Sequence, residues 1–286
     1  MYYILFNPLS SNGRSIEVMK KLKTKIIKKG HECDSLDIIE ASKNVKGFFE
    51  GLNKDDKVVI LGGDGTLHYF VNAIIDVEYE NEIYLYKGGT GNDFSREFKN
   101  KELINISSYV RNLPTYKING CDLEQVFING VGFGIDGAVC VGVNDGGNKK
   151  SGLTYIKNLL SLLKNYKRYD LEAWVDGVRH MYKNVWFATV TNGKYFGGGM
   201  KISPVSDRTD DILEMYVIHS VSFPKLLCIF PLIFIGKHMW FKKVGISLVK
   251  GRNFKLIANE PQPFQSDGEV SLKVSEYEVH MEEKKN

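Results

Sequence analysis

Residues 57–61, Lys-Val-Val-Ile-Leu, run apolar without alternation, as a strand buried on both faces does. Gly62-Gly63-Asp64-Gly65-Thr66 follows at once. Leu67, Phe70, Val71, Ile74 and Ile75 then recur at the i, i+3, i+4, i+7, i+8 spacing of a helix face. Strand, glycine turn and helix in this order form the repeating unit of a parallel α/β sheet. They also form an anion site. Glycines let backbone N–H groups approach a phosphate, and the helix N-terminus favours negative charge. Asp64 inside such a loop is unfavourable beside phosphate unless a cation lies between them, which points to Mg²⁺.

The surrounding residues repeat the unit. Residues 2–6 and 34–39 read as strands, 15–29 and 43–52 as helices, and 82–86 as a further strand. Past residue 115 or so the texture changes to strand-like runs at 168–175, 178–190, 212–218, 244–249, 254–258 and 270–274, with one helix predicted at 152–165. Asp176-Gly177 marks a type I′ hairpin. At 286 residues two domains are expected. We place a doubly wound α/β nucleotide domain at 1–116, with 276–286 returning to it, and a mostly antiparallel β-sandwich domain at 117–275.

Composition excludes several classes. With 43% hydrophobic and 25% charged residues the chain is neither disordered nor fibrous, and a net charge of +4 is too small to imply nucleic acid as a partner. Four cysteines without CxxC, and the absence of HExxH, argue against zinc and a disulfide framework. The first residues lack a basic leader region, and no apolar run reaches the ~18 residues of a membrane span. A cytoplasmic protein is the expectation, with a homodimer left open.

A second glycine loop, Lys87-Gly88-Gly89-Thr90-Gly91-Asn92-Asp93, also ends a strand and opens a helix. Two such loops at one sheet edge would frame a polyphosphate, although no Walker sequence is present. Gly132-Phe133-Gly134-Ile135-Asp136-Gly137 fits a dinucleotide pattern, but the residues after it make a poor helix, so a tightly packed or bulged strand is the better reading. Two acidic turns follow. Asp267-Gly268-Glu269 reads first as a hairpin turn, and alternatively as a carboxylate pair able to take a hydroxyl proton. The 207–211 turn, Asp-Arg-Thr-Asp-Asp, reads as solvated, with oxygens of the kind that suit Mg²⁺.

Taken together, these motifs resemble the diacylglycerol kinase catalytic family, which includes bacterial soluble lipid kinases and the sphingosine and ceramide kinases. The resemblance rests on Asn7-Pro8, GGDGT at 62–66, GTGNDF at 89–94 with Arg96, Ile128-Asn129, Gly197-Gly198-Gly199, Asp210, Gly236-Lys237-His238 and Asp267-Gly268-Glu269. It implies an active site in a cleft between the two domains. ATP would be held by Asn7, Gly62, Gly63, Asp64, Gly65, Thr66, Gly89, Thr90, Asn92 and Asp93. Asn92 and Arg96 would lie near the lipid head, Asp267 would be the general base, and Glu269 its neighbour. Magnesium would sit on Asp210 with the backbone carbonyls of Asp207 and Ile212, linked through water to Asp64 and Asp93. The implied activity is ATP- and Mg²⁺-dependent phosphorylation of a lipid alcohol at a membrane surface, diacylglycerol first. A kinase for a soluble acceptor such as NAD, or a non-catalytic lipid- or nucleotide-binding protein, are the alternatives. Lys87 and Asp211 depart from the family pattern, which has Pro and Gly there.

A lipid substrate requires access to a bilayer. Residues 226–235 are the most apolar stretch, with Lys225 and Lys237 at its ends and Trp240 and two further lysines beyond. They read either as a helix dipping into one leaflet or as a buried helix of the second domain.

Overall fold

A computed structural model describes residues 1–89, 92–98, 101–135, 137, 161 and 163–282. The chain divides into two compact units, Met1–Leu113 and Pro114–Asn286.

The first unit is a five-stranded sheet. Strands β1 (Tyr2–Phe6), β2 (Cys33–Asp37), β3 (Lys57–Gly62), β4 (Glu82–Lys87) and β5 (Leu103–Asn105) lie in the order β2-β1-β3-β4-β5. The first four are parallel and β5 is antiparallel to β4. Helix α1 (Arg14–Lys28) buries Met19, Leu22 and Ile26 against Ile4, Phe6, Val59 and Leu61. Short helices α2 (Ile38–Ser42) and α3 (Val45–Glu50) come between β2 and β3. Asp37 ends the preceding strand early, because its side chain accepts the Ile39 N–H and caps α2. Helix α4 (Asp64–Ala73) buries Leu67, Phe70 and Val71. It stops at Ala73, so Ile75, expected on the buried stripe, is exposed. Two single-turn helices, α5 (Asp93–Arg96) and α6 (Ser107–Val110), complete the unit. The strand order reverses direction at β1, which brings the ends of β1 and β3 side by side, with Phe6 registered on Leu61. In open α/β sheets, ligands bind outside the carboxyl ends of strands at such a point.

The second unit is a nine-stranded antiparallel sheet folded on itself. Its strands are β6 (Thr115–Ile118), β7 (Glu124–Val126), β8 (Gly130–Gly134), β9 (Tyr169–Val175), β10 (Val178–Thr191), β11 (Leu213–His219), β12 (Ile246–Gly251), β13 (Asn253–Ser266) and β14 (Glu269–His280). Two 14-residue strands make the fold turn. The first half of β10 pairs with β9 and the second half with β8, with a register shift between Val185 and Phe187. Strand β13 does the same around shifts on either side of Gln262. Strands that switch layers at bulges in this way are how a sandwich makes its corners.

Two sequence expectations change here. The strand predicted at 254–258 runs on to Ser266, because Pro261 and Pro263 sit at the bulge, where a missing N–H is tolerated. Residues 276–280, expected to return to the first domain, pair with β13 and β6 in the second unit. Helix 152–165 falls mostly outside the described residues, though 161 and 163–165 are helical. The Gly132 and Gly134 pattern belongs to fully buried β8. A Cβ on Gly132 would lie 2.4 Å from the Ala188 carbonyl oxygen, so the glycines serve strand packing. Asp176 and Gly177 both take positive φ, as a type I′ turn requires. Helix α7 (Phe223–Phe234) runs through Pro231 and buries Leu226, Ile229 and Ile233.

Candidate functional site

In the first unit, both glycine loops stand at the carboxyl ends of adjacent strands, joined by a Gly88 N–H to Gly62 carbonyl bond of 2.9 Å. They touch backbone to backbone. A Cβ on Gly89 would fall 2.5 Å from Gly63 Cα and 2.7 Å from its nitrogen, which only two glycines avoid. Gly63 is the N-cap of α4 and offers no side chain to cap it, so the first-turn N–H groups of a ten-residue helix face this edge. Thr66 fills the space beside Gly62, where a Cβ would meet its side chain.

Asp64 has a role the sequence did not disclose. Its Oδ2 accepts the Asp93 N–H at 2.7 Å and its Oδ1 accepts the Phe94 N–H at 3.0 Å. The carboxylate of the first loop therefore fastens the helix that follows the second. This gives Asp64 a structural reason to be in the loop, whether or not a cation binds there. Asn92 takes the left-handed conformation at φ 54° and donates its side-chain N–H to the Gly89 carbonyl. Asp93 is buried and pairs with exposed Arg96 at 3.2 Å. The Asn7 Oδ1 accepts the Leu9 N–H, while its carbonyl accepts the Ser10 and Ser15 hydroxyls, which closes the loop after β1. Thr90 lies outside the described residues.

In the second unit, the decisive segment is 128–130, entering β8. Asp267 and Gly268 have φ of 49° and 96°, so the β13–β14 hairpin turn expected from Asp-Gly is present. The same Asp267 carboxylate reaches across to three successive backbone amides. Its Oδ2 accepts from Ile128 at 2.7 Å, and its Oδ1 accepts from Asn129 at 2.8 Å and Gly130 at 3.1 Å. In return the Asp267 N–H donates to the Gly130 carbonyl at 3.1 Å. Glu269 is exposed at the start of β14, registered on Ser266. Burial pushes the Tyr116 phenol up to about 12, with the nearby charges of Asp267 and Glu269 adding to the effect, so it stays a neutral donor to Gln125 Oε1 at 2.6 Å.

The 207–211 turn is only partly solvated. Asp207 and Asp210 are exposed, and the carboxylates close the turn: Asp207 Oδ1 accepts from Thr209, and Asp210 Oδ1 accepts the Ile212 N–H at 3.2 Å. Between them, Arg208 is 6% exposed. Its guanidinium donates to the Ile128 carbonyl and, at 2.6 Å, to Asn129 Oδ1. Arg208 and Asp267 thus grip the same tripeptide, one by its oxygens and the other by its amides. No spacing rule marks Arg208 in an Asp-rich turn, so the sequence missed it.

Glu214 in β11 was missed for the same reason. It is fully buried, accepts from the Ser206 hydroxyl and pairs with Lys250 Nζ at 2.9 Å. Burial pushes its carboxyl above the ordinary range and the charge of Asp210 adds to this, while Ser206 and Lys250 pull the other way. Among the described residues no three His, Cys, Asp or Glu side chains gather around a common point. A cation at this turn would therefore be held by Asp210, carbonyl oxygens and water. That all-oxygen, carboxylate-poor set fits Mg²⁺, which keeps most of its waters.

Comparison with known proteins bears on both units. The sequence model for the diacylglycerol kinase catalytic domain matches residues 1–126, and the model for the YegS C-terminal NAD kinase beta sandwich-like domain matches 129–279. The chain belongs to the family that joins a diacylglycerol kinase catalytic domain to a YegS-type C-terminal domain. Within reach of this family is a Bacillus subtilis protein named "Putative lipid kinase YtlR", 25% identical over 94% of this chain and 93% of its own. A Mycobacterium tuberculosis protein named diacylglycerol kinase is also 25% identical, over 86% of this chain and 82% of its own. A Bacillus anthracis structure described as a "putative diacylglycerol kinase" superposes with a TM-score of 0.68, covering 98% of this chain and 92% of that one. At 22% identity it speaks for the family fold alone.

Proposed function

We propose that this family member transfers the γ-phosphoryl group of ATP to the hydroxyl of a lipid alcohol, with diacylglycerol as acceptor and phosphatidic acid as product. The observation that carries the reading is the contact of the two glycine loops at Gly63 and Gly89, next to the open N-terminus of α4. Together these form a backbone cradle suited to a polyphosphate. Relatives named as lipid and diacylglycerol kinases support the acceptor class.

The chemistry follows from these groups. Phosphoryl transfer needs positioning and charge neutralisation more than covalent help. Backbone amides of the loops hold the phosphates, and Asn92 and Arg96 lie beside them. The acceptor hydroxyl oxygen forms its bond to the γ-phosphorus as the bond to the bridging oxygen breaks and ADP leaves. The hydroxyl proton passes to Asp267, whose carboxylate is held in one orientation by the amides of 128–130. Arg208 holds that segment from the other side. Asp210 and the carbonyls of Asp207 and Ile212 would hold Mg²⁺, which would supply positive charge for the transfer.

The beta-sandwich match is described by reference to NAD kinase, which keeps a soluble acceptor as the second reading. Incubation with [γ-³²P]ATP and Mg²⁺ in mixed micelles, with diacylglycerol, sphingosine, ceramide, monoacylglycerol and NAD in parallel, separates the two. Label on diacylglycerol is expected. Label on NAD alone would replace this reading with the second.

A further inference from the structure

Past Lys225, the solvent side of helix α7 carries no charged residue. Leu226, Ile229 and Ile233 face the core of the second unit. The opposite face carries Cys228, Pro231 and Ile235 at helical spacing, all exposed, with Phe234 beside them. Exposure of 46% at Phe234, 57% at Ile235 and 73% at Trp240 is high for side chains of this size, and all three fall at the end of the helix or in the turn that follows it. Several large apolar side chains exposed along one short segment mark an interaction site.

Charge identifies the occupant. From Ser222 to Gly245 the chain contains no Asp or Glu. Exposed Lys225 precedes the apolar run, and exposed Lys237 and Lys242 follow it. Lys237 Nζ stands 5.0 Å from the centre of the Trp240 ring, so cation and indole share one rim. The 12-residue helix is about 18 Å long and too short to cross a ~30 Å hydrocarbon core. Apolar residues on the outer face, lysines at both ends and an exposed tryptophan are the attributes of a helix lying in a headgroup layer.

We infer that the outer face of α7, with Trp240, docks on the surface of an anionic lipid bilayer. This adds to the lipid-acceptor reading the place where the bilayer is met. It stands on the surface itself, and its test uses neither ATP nor acceptor, so the two can fail separately.

The test is flotation of the full chain with vesicles of phosphatidylcholine, with and without phosphatidylglycerol. The wild-type protein should float with the anionic vesicles, and salt should weaken the binding. Lys225→Gln, Lys237→Gln and Lys242→Gln should each lower affinity for anionic vesicles about fivefold, the effect of roughly 1 kcal/mol per charge. The double variant Ile235→Glu/Trp240→Glu, at exposed positions, should keep the wild-type melting temperature and lose vesicle binding by tenfold or more. Wild-type protein that stays off anionic vesicles, or a double variant that binds them normally, would overturn the inference. So would a double variant that changes only from dimer to monomer on gel filtration, which would assign the face to a second copy.

Discussion

Replacing Gly89 by alanine sets a methyl carbon 2.5 Å from Gly63 Cα and 2.7 Å from its nitrogen. Non-bonded carbons rest at about 3.5–4.0 Å, so the two loops must part by about 1 Å. The atoms struck are backbone, and no rotamer change relieves the overlap. Overpacking of this kind costs about 1–3 kcal/mol. At about 2–4 °C per kcal/mol, the melting temperature should fall by about 2–12 °C. Gly65 provides the comparison within the same loop. It lies inside α4, and a Cβ there meets nothing within 4 Å. Gly65→Ala should gain up to about 1 kcal/mol of helix propensity and melt about 2–4 °C higher. Differential scanning calorimetry of the two variants reads opposite signs from one chemical change. A Gly89→Ala protein that melts with the wild type, or two variants shifting the same way, would refute the contact. A 1 Å displacement of the loops should also slow phosphoryl transfer about 100-fold.

The remaining predictions concern the second unit. Arg208→Met fills similar space but cannot donate to the Ile128 carbonyl or Asn129 Oδ1, which should cost about 1–3 kcal/mol in denaturant unfolding. It should lower kcat with little change in KM for ATP, and a change confined to KM would argue against a role through Asp267. Glu214 keeps its proton to higher pH folded than unfolded, so its contribution to stability is full below about 4.5 and is lost as pH rises through its raised value. Glu214→Gln should therefore gain relative to wild type between pH 5 and pH 8 in chemical denaturation, and a relative loss over that range would contradict the assignment. Asp210→Asn should raise the Mg²⁺ concentration needed for half-maximal transfer by about tenfold, the order expected when a metal site is weakened. An unchanged Mg²⁺ titration would move the metal elsewhere.

What the sequence revealed depended on whether the cause was local. Strand β3 and helix α4 were legible because burial on two faces and on one stripe leave different periods. The Asp176-Gly177 and Asp267-Gly268 turns were legible because each requires positive φ at adjacent residues. Strand β13 was cut short because Pro261 and Pro263 look like a break until a bulge is there to receive them. The bonds from Asp64 to the amides of residues 93 and 94 were not legible because those amides lie about thirty residues on. Arg208 and Glu214 were invisible for the same reason. The role of a buried ionisable side chain is identified only by what surrounds it, and those groups come from 128–130, Ser206 and Lys250.

The central claim is that Asp267 takes the proton from a lipid hydroxyl while the glycine loops hold ATP. It is tested most directly by comparing wild type and Asp267→Ala for transfer from [γ-³²P]ATP to diacylglycerol, with ATP affinity measured by calorimetry on the same samples. The account predicts labelled lipid phosphate from the wild type, equal ATP affinity in both proteins, and transfer reduced at least 100-fold in the variant. Near-normal transfer by Asp267→Ala, or a wild type that binds ATP and labels no lipid, would contradict it.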